Sequence, residues 1–328
     1  MEPGMKFLKV NKNLIAIIIT VGFLIWLIRG IDKDAVIKLI NNIAPLQITN
    51  GAIFYGFVYL ARIARWKALL PKSSNSFKEL LAITGIHNLA VRAFPNPTGE
   101  LVFLQQAKQK NIPYSDSLAA LIISRVLDFV LVGFFFIIGV MPFLSNLTKP
   151  VFFFLLLSIF FISAGIGSII FLSSTSRTVP KIVIKVFGFF LLAKFQETIK
   201  QKTNQFLNAF GRLRNWKTYL KAVVFSLAIW LSMFLAYFFF LKGFGIELGI
   251  RAVLIGGAVQ IFANTIPNIG GLGVMEAGWV AGLSVAKIEK STAIVGALAV
   301  DLMTLMGTII FGLVAFLIQK GEFFASDN

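Results

Sequence analysis

Long apolar runs constrain this chain more than any other feature of its sequence. Runs of about twenty apolar residues are enough to cross the hydrocarbon of a bilayer as a helix. Charged residues make up only 14% of the chain, whereas a soluble domain carries about a quarter. The sequence therefore predicts an all-α, polytopic membrane helix bundle that forms a single membrane domain over residues 1–328. The predicted spans are 13–29, 48–69, 116–140, 150–172, 218–241 and 291–318.

Two further apolar stretches, 80–106 and 252–286, are each interrupted by the motif Pro-Asn-x-x-Gly. Proline removes an amide donor and pushes the preceding residue out of the helical region, and glycine then permits a tight reversal. Broken backbone at membrane depth is tolerated where it lines a wet cavity. Each stretch is therefore predicted to be a re-entrant hairpin that enters and leaves on one side of the membrane. The predicted hairpin tips contain Pro95, Gly99, Pro267, Gly270, Gly271 and Gly273.

The interrupted stretches belong to a predicted internal repeat. At an offset of 172 residues the two motifs coincide and Asn88 falls on Gln260, while at 173 Asp128 falls on Asp301. Three predicted crossings separate the starts of the two units, so the second unit should be inverted relative to the first. Inverted repeats with broken helices are typical of transporters whose site lies near the midplane. The predicted units are 48–140 and 218–318, separated by a connecting helix at 150–172 and a basic amphipathic segment at 177–217.

Basic residues predict the orientation. The net charge is +17, and in the re-entrant scheme most lysines and arginines fall on the cytoplasmic side, as the positive-inside rule expects. Arg62 and Arg65 are assigned to a cytoplasmic loop, and Trp66 and Trp216 are predicted to be interfacial anchors. The segment 177–217 is predicted to lie on the inner membrane surface. We therefore expect a cell-membrane protein with both termini cytoplasmic, and no nucleic-acid partner.

Ionisable side chains inside the apolar segments indicate the site, since each costs about 2.5–3.5 kcal/mol to insert. Arg92 and Arg125 are the predicted phosphate contacts, because a guanidinium group stays charged and matches phosphate bidentately. Arg125 can alternatively pair with Asp128, three residues further along one helical face. Glu100 and Glu276 can alternatively cap amides at the hairpin tips. The predicted substrate-binding residues are Arg92, Asn96, Glu100, Arg125, Asp128, Asn264, Asn268, Glu276 and Asp301.

Several kinds of chemistry are not expected. The chain has no cysteine and one histidine, His87, so thiolate chemistry is excluded and a histidine-based metal site is not predicted. His87 is expected to serve helix packing. The sequence contains no P-loop pattern, which leaves ATP-driven transport by this chain unsupported. No metal and no cofactor are predicted.

Four motifs resemble the flippase-like family built around the transmembrane region of lysylphosphatidylglycerol synthase. Two positions depart from the family pattern: Phe103 replaces an arginine, which removes one possible anion contact, and Ser124 replaces an acid. The resemblance implies movement of aminoacylated phospholipids, or of polyprenyl-phosphate-linked sugars, between leaflets. The soluble synthase domain of the family is not recognised here, so synthase activity is not expected. The motifs are RWKALL at 65–70, PNPTGE at 95–100, RVLD at 125–128, and Pro267 followed by GGLGVME at 270–276.

The leading hypothesis is a lipid flippase-like transporter, and not an enzyme, whose substrate head group passes between the two broken segments. One alternative is a membrane-embedded transferase or hydrolase with Glu100 or Glu276 as general base. Another is a non-catalytic scaffold that docks a separate glycosyltransferase or synthase through the basic segment 177–221. The expected partners are membrane lipids with anionic head groups, and further candidates are a lipid-modifying enzyme or a second copy of the chain.

Overall fold

A computed structural model describes most of the chain outside its first 42 residues and the segment 174–214. Within the described part, every regular element is a helix. The predicted span 13–29 and most of the segment 177–217 lie outside that part, as do Pro95, Asn96, Pro267 and Gly270. The described residues are 43–71, 76–94, 98–146, 149–173, 215–266, 268 and 271–326.

Nine α-helices occupy this described part, with short 3-10 turns at Met141–Asn146 and Ser284–Ala286. Their order is long, short, short, long, then one connecting helix, then long, short, short, long. They are α1 Pro45–Leu69, α2 Phe77–Ala93, α3 Thr98–Gln109, α4 Tyr114–Val140, α5 Lys149–Ser173, α6 Trp216–Gly243, α7 Ile250–Ala263, α8 Val274–Leu283 and α9 Lys290–Ser326.

Local sequence sets where several helices begin. Pro45 occupies the first turn of α1, where its missing amide hydrogen costs nothing. At α2, the Ser76 side chain accepts from the Glu79 amide at 3.2 Å and the Glu79 carboxylate accepts from the Ser76 amide at 2.8 Å. This reciprocal capping box satisfies two otherwise unpaired donors. The Asn215 side chain caps α6 by accepting from the Lys217 amide at 3.0 Å.

The helices on either side of α5 form two sets, a first set α1–α4 and a second set α6–α9. The long helices α1 and α6, which begin the two sets, pack side by side and run in opposite directions. The Ala44 amide, just before α1, donates to the carbonyl oxygen of Gly243 at the end of α6, at 2.7 Å. Further along, the Phe54 ring stacks on Phe239 with 5.4 Å between ring centroids. The register thus advances along one helix as it recedes along the other, which defines an antiparallel pair.

The short helices fold back on each other in two pairs, α2 with α3 and α7 with α8. Gly99 at the start of α3 lies against the backbone of Val91, and Gly282 of α8 lies against the backbone of Gly256 in α7. Each pair also packs across to the other set. Gly85 of α2 contacts α9, and Gly139 of α4 contacts α7. The two sets are therefore interlocked.

Three helices of the described residues are long and apolar enough to cross a membrane: Tyr114–Ser145, Trp216–Gly243 and Lys290–Lys320. Shorter apolar helices lie at Val151–Gly165, Ile250–Ala263 and Val274–Ala286. The predictions of an all-helical fold and of apolar spanning helices are confirmed at this level. The helix α1 is long enough to span a membrane, but it is not apolar enough, because polar and basic residues lie towards its two ends.

The assignment of Arg62 and Arg65 to a cytoplasmic loop was wrong, because both lie within α1. Arg65 is only 3% exposed. Trp66 was predicted to be an interfacial anchor, yet it is buried and stacks on Phe103 with 4.3 Å between centroids. The last turns of α1 are covered by α2, α3 and α4, so these side chains face protein. Trp216, in contrast, is 67% exposed.

We expect Gly282→Ala to destabilise the fold by about 1–3 kcal/mol, the usual cost of overpacking. A Cβ at Gly282 would lie 2.8 Å from the Gly256 Cα, and backbone cannot rotate away as a side chain can. The measurement is thermal unfolding of the purified protein in detergent. The matched control is Gly56→Ala on α1, where a Cβ meets nothing within 4 Å. Equal stability of the two variants would contradict tight packing of α7 on α8.

Candidate functional site: an arginine-lined central cavity

A cavity of about 740 Å³ lies between the two helix sets, and each of the nine described helices contributes to its wall. Its position along the spanning helices follows from the charged residues at and behind its wall. In the apolar span Lys290–Lys320, Asp301 stands eleven residues from the start, or about 16 Å at 1.5 Å per residue. In the span Tyr114–Ser145, Asp128 stands fourteen residues in. The charged groups around the cavity therefore lie near the middle of the spanning helices.

Asp128 is the hub of a buried network on one side of the cavity. Its carboxylate accepts from Arg65 Nη1 at 2.6 Å, from Trp230 Nε1 at 2.9 Å and from Arg125 Nη1 at 3.4 Å. Arg65 also donates to Ser226 Oγ at 3.0 Å. A buried ion pair is tolerated only where additional hydrogen bonds compensate the lost hydration. Here three helices, α1, α4 and α6, supply hydrogen bonds to the Asp128 carboxylate.

Glu100 joins α3 to this network. Its carboxylate accepts from Arg125 Nη2 and lies 3.1 Å from His87 Nε2. His87 is buried and packs beside the stacked rings of Trp66 and Phe103, in agreement with its expected packing role. The ring stack explains how Phe103 fits here: it fills the core beside His87.

Arg92 connects the two helix sets. Its Nη2 donates to Asp301 Oδ1 at 2.5 Å and to Thr304 Oγ1 at 3.4 Å, and its Nη1 contacts Met275 Sδ at 3.3 Å. The side chains of Arg92 and Asp301 are 13% and 11% exposed. An arginine of α2 is thus held by α8 and α9. Both aspartates predicted to be repeat equivalents, Asp128 and Asp301, bind an arginine of the first set.

Arg62 differs from the other cavity arginines in its hydrogen-bond partner, which is a neutral amide and not a carboxylate. Its Nη1 donates to Asn88 Oδ1 at 2.6 Å, and no ion pair to a carboxylate is formed by Arg62 among the described residues. The side chain is half-buried and lines the cavity. Its positive charge therefore faces the cavity without a compensating acid, which suits it to hold an anion.

The part of the cavity wall formed by α7 and the turn after it is polar but uncharged. Gln260, Asn264 and Thr265 of α7 and the turn that follows it line the cavity there. Gln260 is 2% exposed, and its Oε1 has no hydrogen-bond partner. A buried acceptor without a donor is costly unless a bound group satisfies it.

Asn268 organises the second broken segment. Its side-chain amide donates to the carbonyl oxygen of Ile266 at 2.6 Å, and its Oδ1 accepts from the Gly271 amide at 2.6 Å. Gly271 and Gly273 have φ of +82° and +78°, a left-handed conformation that glycine adopts without strain. Asn268 is buried in this loop and does not line the cavity.

Glu276 follows in the first turn of α8 and is buried. The backbone amides of Gly273 and of Glu276 itself interact with its carboxyl group, while Oε2 has no partner. The side chain stands beside the cavity wall and not on it. This position agrees with the predicted capping of the tip amides more closely than with a substrate contact.

The structure brings five of the nine predicted substrate-binding residues to the cavity wall. Asp301 lies directly behind Arg92, Asn268 and Glu276 lie off the wall, and Asn96 is outside the described residues. The residues at the wall are Arg92, Glu100, Arg125, Asp128 and Asn264.

The wall also contains polar residues that were not recognised from the sequence, among them Arg62, Arg65 and Gln260. A signal existed for each. Arg62 and Arg65 are spaced i,i+3 inside an apolar run, and Gln260 is the one amide side chain in the helix IRAVLIGGAVQIFA. No group of three histidine, aspartate or glutamate side chains in the described part of the chain converges as metal ligands would.

The fold and the site together define an all-α membrane protein with an arginine-lined cavity that lies midway along its long apolar helices. Comparison with known proteins then gives its family. The family described as lysylphosphatidylglycerol synthase TM region matches residues 13–312, so the chain belongs to this family, as its motifs predicted. It is 24% identical over 334 residues to UPF0104 membrane protein MJ1595 of Methanocaldococcus jannaschii, over 96% of this chain and 97% of that protein. No solved structure matches the chain.

Proposed function

We propose that this protein is a lipid flippase-like transporter, in which the anionic head group of a membrane lipid passes between leaflets through the central cavity. The observation that carries the proposal is Arg62, a cavity arginine without a carboxylate partner. A guanidinium group binds phosphate strongly and stays charged. Membership of a membrane family named for a lipid synthase supports a role at membrane lipids.

In the proposed architecture, the sets α1–α4 and α6–α9 are inverted repeats and the short helix pairs are re-entrant. The antiparallel packing of α1 on α6 supports the inversion. The helices α2 and α7 contain 17 and 14 residues, or about 26 and 21 Å, which is less than the ~30 Å hydrocarbon core. Two half-length pairs from opposite sides would give the cavity access to each leaflet in turn.

The lipid tails need not enter the protein in this mechanism. Between α4 and α5 the cavity wall includes Ile122 and Phe160, and Phe160 is 62% exposed. In the proposed mechanism, the head group enters from the bilayer at this place between α4 and α5. The head group would occupy the cavity while the tails remain in lipid. In this scheme the protein resides in the cell membrane with both termini cytoplasmic.

The enzyme alternative has less support from the geometry. A general base needs a carboxylate that is free to accept a proton, whereas Glu100 is engaged by Arg125 and His87. Glu276 does not line the cavity. Modification of lipid in detergent micelles, where no leaflets exist, would favour an enzyme over a transporter.

The test is transfer of a phospholipid between leaflets of reconstituted vesicles. Acyl-labelled fluorescent phosphatidylglycerol is added to both leaflets, and dithionite then bleaches the outer one. The native protein should bleach nearly the whole signal, and protein-free vesicles about half, because half the lipid faces inward. Native vesicles that behave as protein-free ones would overturn the proposal.

Arg62→Gln is expected to slow this transfer about 10- to 100-fold, since a hydrogen bond to a charged group contributes about 1.5–3 kcal/mol. The variant should fold, because Arg62 pairs with neutral Asn88 and its loss leaves no buried carboxylate unpaired. Arg251→Gln is the matched control, since Arg251 is exposed at the start of α7. Equal slowing by both substitutions would assign the effect to overall charge.

A further inference from the structure

We propose that the cavity selects a phosphate-linked head group that carries hydroxyls and no positive charge, and that Gln260 binds those hydroxyls. This selectivity rests on the proposed transport function and names the substrate class of the same cavity. Arg62 on one wall would hold the phosphate, and the uncharged wall formed by α7 would contact the rest of the head group.

Gln260 is the strongest indication of a ligand on the uncharged wall. The side chain is 2% exposed, lies on the cavity wall and leaves its Oε1 unpartnered. Asn88, whose Oδ1 accepts from Arg62, lines the same cavity. The unpartnered acceptor of Gln260 thus faces the space that Arg62 also lines. A hydroxyl group can donate to this acceptor, so a polyol head group satisfies it.

The cavity offers little to a head-group amine. A cationic group requires a carboxylate that is not already neutralised. Both carboxylates on the cavity wall are bound by arginines, as is Asp301 behind it, and Glu276 lies off the wall. Glu100 is paired with Arg125, Asp128 with Arg65, and Asp301 with Arg92. An ammonium group would meet these arginines at close range, and like charges at low dielectric repel strongly. Aminoacylated and amine-containing head groups are therefore disfavoured.

The volume fits a single head group. Small-molecule sites commonly enclose about 300–1,000 Å³, and this cavity encloses about 740 Å³. Two kinds of lipid present the required chemistry, a phosphodiester or phosphate bearing a hydroxylated neutral group. One is a glycerophospholipid with a polyol head, and the other is a polyprenyl phosphate that carries a sugar.

The experiment compares lipids that differ in one feature at a time, all labelled on the acyl chain and measured by dithionite bleaching. Phosphatidylglycerol carries head-group hydroxyls, phosphatidylpropanol has the same charge without them, and lysyl-phosphatidylglycerol adds amines. The native protein should transfer phosphatidylglycerol about tenfold faster than each of the other two, because a site built for a hydroxyl rejects an analogue that lacks it. Transfer of all three at one rate would overturn the selectivity.

Gln260→Met tests the residue assignment, with Gln260→Leu as a second variant in case one of them unfolds. Each should slow transfer of phosphatidylglycerol about tenfold more than transfer of phosphatidylpropanol, so that the ratio of the two rates falls to about one. Gln105→Met, at an exposed position of α3, is the matched control and should alter neither rate. A Gln260 variant that slows both lipids equally would overturn the assignment.

Two further results separate the remaining possibilities. In vesicles that contain unlabelled polyprenyl-phosphate hexose, competition with phosphatidylglycerol would show that the sugar lipid binds the same cavity. Absence of competition would restrict the class to glycerophospholipids. Transfer of no lipid above the protein-free rate would instead contradict the proposed transport function itself, which distinguishes that failure from a lack of selectivity.

Discussion

Asp128→Ala is expected to lower the free energy of unfolding by about 3–5 kcal/mol, the cost of leaving a buried charge without its partner. The substitution leaves Arg65, which is 3% exposed, without its carboxylate. It also removes the acceptor of Trp230 Nε1 and one of the two acids that hold Arg125. The loss is measured by thermal or denaturant unfolding in detergent micelles.

A double variant tests whether the loss of stability comes from the unpaired buried charge or from any substitution at this position. Arg65→Met with Asp128→Leu replaces the ion pair by apolar side chains of comparable size, an exchange that is often neutral or stabilising. The double variant should therefore regain most of the lost stability, while Trp230 still lacks an acceptor. If Asp128→Ala unfolds at the same temperature as the native protein, the network around Asp128 does not hold the helices together.

Arg92→Gln is expected to produce the second large effect, a loss of several kcal/mol together with a loss of transfer. Asp301 would be left as an unpaired carboxylate that is 11% exposed, in the middle of an apolar span, and breaking a buried pair costs about 3–5 kcal/mol. The pair also joins α2 to α9, so its loss should loosen one helix set from the other. Unfolding in detergent and lipid transfer in vesicles measure the two effects.

The double variant Arg92→Gln with Asp301→Asn decides between two roles for Arg92. It replaces the ion pair by two neutral amides, so stability should recover. We expect transfer to recover as well, because the Arg92 guanidinium is already occupied by Asp301, Thr304 and Met275. A stable double variant without transfer would show instead that Arg92 contacts the substrate, as its charge within an apolar segment predicts.

The partners of the charged residues could not be derived from the sequence. Arg125 and Asp128 are three residues apart, a spacing that predicts a pair, yet Arg65 approaches Asp128 more closely, at 2.6 Å against 3.4 Å. An i,i+3 spacing predicts that two side chains can meet, but it gives no account of a third side chain from another helix. For the same reason the position of Arg62 in a cavity was missed, since its nearest polar partner comes from α2.

Local information in the sequence was enough to predict the helical class, the family and several charged residues of the cavity wall. Long apolar runs exclude other folds in a bilayer because every backbone group must be satisfied within the segment, and charge within such runs indicates a polar interior. Only the tertiary structure decided which charges neutralise each other. Arg65 and Asp128 are 63 residues apart and Arg92 and Asp301 are 209 apart. Helix packing, and not spacing along the chain, sets those distances, and it leaves Arg62 and Gln260 available to a ligand.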